Sequence, residues 1–201
     1  MSEPVHFIDD ALQYESSWER AEDYQQRLGE GLEYYGASVG AVRGTLRNAA
    51  RKYPDLGHDD VTALAAELWS RPVFERRLAA VILLQSAVGL LRHSDLTRIE
   101  GFLRSTQLPE LTDPLAVDVV GALLLRLEGQ DALRAGTVLD RWAVAEEPWL
   151  RRAAVLAQLP TVRAGDDAGF RRAVRLVTGA QQGRVPEVED AVHRVRTAAN
   201  G

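Results

Sequence analysis

Asp118 is the residue whose setting is hardest to explain by folding alone. It interrupts the run Leu115-Ala116-Val117-Asp118-Val119-Val120, which otherwise has the apolar density of a buried helix. Asp is a poor helix-interior residue because its short side chain competes for the backbone. An unpaired carboxylate in an apolar core is also costly. Asp118 therefore either lines a cleft or meets a cation. In a cleft it could stabilise positive charge that develops in a substrate; against a cation it would be a structural ion pair.

Arg152 poses the matching question. On a helix, Trp149, Arg152, Ala153 and Leu156 share one face, while Arg151 points elsewhere with Val155. An Arg on a partly apolar face turns inward, either to hold a phosphate, with Asp118 positioned in the process, or as the buried partner of a carboxylate. Other cations form patterns. Arg43, Arg47 and Arg51 recur at i, i+4 and i+8 beside Lys52, and Arg76, Arg77, Arg171, Arg172 and Arg175 come from other segments. Gathered on one face they would bind phosphates; scattered among carboxylates they would be ordinary solvated charges. Lys52 is the only Lys in the chain, so the cations are nearly all guanidinium forks, which suit phosphate better than a point charge does.

Much chemistry is excluded. With no Cys, there is no disulfide framework, thiolate zinc site or Cys nucleophile. The histidines, His6, His58, His93 and His193, have no metal-ligand spacing, so neither a metal nor any other cofactor is expected. Between Gly29 and Gly36 no strand precedes the glycines and no Lys-Ser/Thr follows, so no phosphate loop is read there. No Gly-x-Ser-x-Gly elbow supports a Ser nucleophile. The net charge of −5 counts against a nucleic-acid partner in sum, although local charge decides such binding.

The elements that must position these residues are helices. Apolar residues recur with a period near 3.6 and strand-type alternation is absent. The punctuation places helices near 17–29, 39–52, 58–69, 73–92, 95–105, 114–128, 131–142, 148–158, 167–177 and 186–198. Asp113 before Pro114 reads as an N-cap and first-turn proline, and Glu147 before Pro148 and Asp59-Asp60 repeat the device. Residues 1–16 are expected to be a flexible extension or a first helix. The helix pairs recur at roughly 35–40 residues, the spacing of helical repeats, which leaves a degenerate solenoid or an irregular bundle. One domain over 1–201 is expected. The apolar stretch 78–84 is far below the ~20 residues a membrane span needs, and no signal peptide is visible. A cytoplasmic monomer is the default.

Three groups of residues then converge. The first runs Tyr34-Tyr35-Gly36-Ala37-Ser38-Val39-Gly40-Ala41-Val42-Arg43, then Glu67-Leu68-Trp69 and Phe74-Glu75-Arg76-Arg77-Leu78-Ala79-Ala80. The second is Asp113-Pro114-Leu115-Ala116-Val117-Asp118. The third is Arg141-Trp142 followed by Pro148-Trp149-Leu150-Arg151-Arg152-Ala153-Ala154-Val155-Leu156. In order and spacing, over roughly 22–196, they resemble the AlkD-like DNA alkylation repair family. The resemblance implies an all-α fold of HEAT-like repeats stacked into a curved α-solenoid. It implies double-stranded DNA as partner and removal of N3- or N7-alkylated purines as activity. The family's catalytic Asp falls on Asp118 and its conserved Arg on Arg152. Arg151, Arg43, Arg47 and Arg194 are the further residues expected at DNA. Trp69, Trp142 and Trp149 are read as core.

The pattern departs where the family carries two tryptophans beside the lesion. Asp113 and Pro114 stand at the first place, and the second falls near Arg194. Three functions follow from the sequence: an alkylpurine DNA glycosylase using Asp118, a non-catalytic relative binding distorted or branched DNA by its backbone, and a protein-interaction scaffold of HEAT type.

Overall fold

The structure is a computed structural model and describes residues 2–166, 171–172, 175–176, 178 and 185–199. Among the described residues there is no strand, only an isolated bridge between Glu33 and Val73. The all-α class holds: consecutive helices pack on their neighbours within each of two compact units, 1–90 and 91–201.

The first unit contains α1 (Glu3–Tyr14), α2 (Trp18–Leu28), α3 (Val39–Lys52), α4 (His58–Trp69) and α5 (Phe74–Ser86). The first helix settles the open reading of 1–16. Its Val5, Ile8 and Leu12 lie at helical spacing and are fully buried, against α3, α4 and α5. Helices α4 and α5 are joined by four residues, too few for anything but an antiparallel hairpin. Asp60 accepts a hydrogen bond from the Gly57 N–H (3.0 Å), so the expected acidic opening of α4 is present. Helix α5 stops at Ser86 rather than near 92: the Ser86 hydroxyl donates back to the Leu83 carbonyl, and the Ala87 N–H closes the last turn there too.

The entry to α3 is fixed by two small residues. Gly36 has φ +80°, and a Cβ there would lie 2.0 Å from the Ser17 carbonyl oxygen, so only glycine lets α2 approach the loop. Its carbonyl accepts from Arg20 (2.5 Å). Ser38 then caps α3 by accepting from the Ala41 N–H (3.1 Å). Ser38→Ala is expected to cost about 1 kcal/mol, read as a lower urea midpoint at unchanged slope.

The second unit contains a 3-10 turn (His93–Asp95), α6 (Leu96–Arg104), α7 (Pro109–Pro114), a π segment (Leu115–Gly121), α8 (Ala122–Leu124), α9 (Gly129–Ala143), α10 (Pro148–Leu156), α11 (Leu159–Arg163) and α12 (Pro186–Ala199). The centre is α10, whose Leu150, Ala153, Ala154, Val155 and Leu156 are fully buried among α6, α9, α12 and the π segment. Trp142 and Trp69 are core, as read; Trp149 is only half-buried. Gly121 permits the tightest approach. A Cβ there would lie 2.7 Å from Pro160 Cγ and 2.8 Å from the Ala157 carbonyl oxygen.

One expectation is corrected. Asp113-Pro114 does not begin a helix. Pro109 takes the first-turn position, and Asp113 and Pro114 lie inside the helical run. The capping preference of Asp is overridden because its carboxylate is bound by two arginines. The expected helix at 167–177 lies largely outside the described residues. No helix among the described residues is long and apolar enough to cross a membrane.

Candidate functional site

The helical run 109–124 changes its bonding pattern midway. Pro114 brings no N–H, and beyond it the chain widens into the i→i+5 bonding of the π segment. Within that segment Leu115, Ala116, Val119, Val120 and Gly121 are buried while Asp118 is exposed. A carboxylate is thus presented at the surface from an otherwise apolar turn. Asp118 does not sit in the core, and of the two readings of its setting the structure favours a surface facing solvent or ligand. Such widened turns cluster at functional sites.

Arg152, by contrast, is buried, with 4% of its surface exposed. Its fork is bidentate on Asp113: Nε donates to Oδ1 (2.6 Å) and Nη2 to Oδ2 (2.7 Å). Nη1 donates to the Glu187 carbonyl (2.6 Å), and Nη2 also lies 2.8 Å from Asp190 Oδ2. Arg194 Nη1 meets the same Asp113 oxygen that Nη2 uses, and lies 3.9 Å from Asp190, one turn earlier on α12. Burial alone would lower the pKa of Arg152, but Asp113 and Asp190 outweigh it and raise it, so the guanidinium is charged at every working pH. The cluster joins three helices, α7, α10 and α12, around one buried charge.

Among the described residues Arg152 therefore pairs with Asp113 and Asp190, not with Asp118. The structure brings Arg152 and Arg194 together, through Asp113, next to the helical run that carries Asp118. Arg151 is half-buried on α10. Arg43 and Arg47 belong to the other unit. With Arg51 they form an exposed row on α3, and no ion pair engages them among the described residues. Elsewhere cations are spent on carboxylates: Arg104 and Arg141 on Glu100, Arg134 on Asp131, and Arg172 on Asp140. Free guanidinium charge in the first unit is thus concentrated on α3.

Sequence reasoning missed Asp113, Asp190 and the Glu187 carbonyl as the partners of Arg152. The inward face of Arg152 demanded a carboxylate, and Asp190 and Arg194 stand at i, i+4. Nothing local could choose a partner 39 residues away. Among the described residues no group of three His, Cys, Asp or Glu could hold a metal ion.

Comparison with known proteins agrees with the residue pattern. A family model described as "DNA alkylation repair enzyme" matches residues 8–185. No curated protein matches the chain.

Proposed function

Since this chain belongs to the DNA alkylation repair enzyme family, we propose that it is a DNA glycosylase that excises N3- or N7-alkylated purines from duplex DNA. The observation that carries the reading is the exposure of Asp118 from the apolar π segment. An alkylated purine in DNA is cationic and leaves without prior protonation. As its bond to C1′ breaks, the bonding pair goes to the base and positive charge grows on the sugar. The Asp118 carboxylate stabilises that charge, and water then adds to C1′ and loses a proton. Arg43 and Arg47 hold backbone phosphates of the duplex, a sequence-independent role. Arg151 and Arg194 serve phosphates nearer the lesion, and Arg152 acts through Asp113 by fixing α12 against the helix of Asp118.

A second reading, a non-catalytic relative that binds distorted DNA, is favoured by one specific feature. Asp113 and Pro114 stand where the family resemblance places a tryptophan beside the lesion, and Asp113 is tied to Arg152 and Arg194. The two readings separate in one experiment. Release of 7-methylguanine, 3-methyladenine and a bulky N3-adenine adduct is followed with wild type and Asp118→Asn. DNA binding is measured in parallel. Wild-type release is expected, with a rate about a hundredfold lower in Asp118→Asn, the scale of a removed electrostatic stabiliser. Undiminished release in the variant would overturn the role of Asp118. No release by wild type, with salt-sensitive binding intact, would establish the second reading.

A further inference from the structure

A groove of about 520 Å³ lies between α1 and α3 in the first unit, remote in sequence from Asp118 and Arg152. Its volume is within the range of small-molecule sites, roughly 300–1,000 Å³. Its wall carries Phe7, Asp10, Tyr14 and Glu15 of α1, with Thr45 and Asn48 of α3 opposite. No Lys or Arg lines it.

Three features give the groove negative character. Asp10 and Glu15 are exposed, and neither forms an ion pair among the described residues. Glu15 caps the C-terminus of α1, and the last turn of that helix holds no basic residue. A helix C-terminus carries about half a negative charge and favours a cation, and here none from the described chain supplies it. Phe7 and Tyr14 present rings that add to the attraction for a cation.

Thr45 is the independent sign that the groove is shaped for a ligand. It is 5% exposed, lines the groove, and its hydroxyl has no hydrogen-bond partner among the described residues. Thr137, also within a helix, shows the usual alternative by donating to the Leu133 carbonyl (3.1 Å). Lys52, the nearest ammonium, sits 4.6 Å from the Phe7 ring but is engaged by Glu3 (3.4 Å). Arg47 lies at the rim by Gly44 and reaches neither carboxylate.

We propose that this groove binds a short aliphatic diamine or polyamine. Asp10 and Glu15 are five residues apart, about 7.5 Å along the helix axis, so each carboxylate takes one ammonium of an extended diamine. The methylenes lie on Phe7, Tyr14 and the small side chains between them. Thr45 and Asn48 accept the remaining N–H groups. A single compact cation would use only one carboxylate.

The test is calorimetric titration of the full chain, without DNA, with butane-1,4-diamine, spermidine and choline. Saturable binding of the diamine and spermidine is expected, with choline weaker. Asp10→Asn and Glu15→Gln should each weaken it about tenfold, as expected for losing a charge-assisted pair. Both positions are exposed, so folding is preserved. Gly44→Phe, built into open space apart from Arg47, should fill the groove and abolish binding while the helical circular dichroism persists. Absence of diamine binding at millimolar concentration would overturn the proposal. So would binding that ignores the two carboxylate substitutions, or choline binding as tightly as the diamine.

Discussion

Arg152→Ala is expected to destabilise the second unit by about 3 kcal/mol, the low end for breaking a buried ion pair, and to lower its Tm by about 10 °C. Two effects combine. The buried stem of Arg152 is removed from the packing of α10 against α12. The Asp113 carboxylate, with 18% of its side chain exposed, loses the two hydrogen bonds that held it. Arg194 still reaches Asp113, which keeps the loss from being larger. Asp190 and Arg194 are more exposed, at 54% and 38%, so solvent screens their contribution and little of the loss comes from them. Arg152→Met retains the stem and should recover part of the stability; what it fails to recover is the polar share. A double-mutant cycle of Arg152→Met with Asp113→Asn isolates the pair, and a coupling of at least about 1 kcal/mol is expected. A coupling near zero would mean that the fork is not what secures α12. The same variants should lower base release in proportion to the loosening of α12, without the selective collapse expected for Asp118→Asn.

The stacked helices were legible because their cause is local and repeated. Val5, Ile8 and Leu12, or Leu150, Ala153 and Leu156, show the period that buries one face. Capping at Asp60 was legible for the same reason. Asp113 shows where such reasoning stops. Asp followed by Pro is a good local start signal, but a bidentate bond from Arg152 outweighs a cap, and that bond is a tertiary fact. The π segment was also invisible, since its residues fit an ordinary apolar helix. The anomaly of Asp118 was real, yet its resolution by exposure depends on how that turn widens. The conserved-looking string Phe74-Glu75-Arg76 was usable as a family mark without its physics. The structure supplies the physics. Arg76 is wholly buried against Asp9 (2.8 Å), which also accepts from the Tyr35 hydroxyl (3.0 Å). Glu75 faces the loop before α3.

That loop is the basis of the other large effect. Glu75 is fully buried and its two oxygens accept from the backbone N–H groups of Tyr35 (3.0 Å) and Gly36 (2.7 Å). Burial pushes its pKa up, and the bonds from Tyr35, Gly36 and Ala37 pull it down without cancelling the rise. The ionised form is therefore disfavoured by the fold, yet the side chain is still required. Glu75→Gln replaces one acceptor oxygen by an NH2 that faces an N–H donor, leaving buried donors unsatisfied. A loss of about 3 kcal/mol is expected, seen as a lower guanidinium midpoint for the first unit. The pH dependence has a definite sign. Below the ordinary value of 4.5, Glu75 is protonated in both folded and unfolded chains and contributes no slope. As pH rises from 4.5 to the raised folded value, the folded chain holds more protons than the unfolded one, so the contribution of Glu75 to stability falls. The advantage of wild type over Glu75→Gln should thus be greatest in mild acid and narrow as pH climbs, then stay constant. An advantage that widened across that window would show that the N–H groups of Tyr35 and Gly36 outweigh the burial of the charge. Glu75 would then be a clamp strengthened by ionisation rather than one that holds in spite of it.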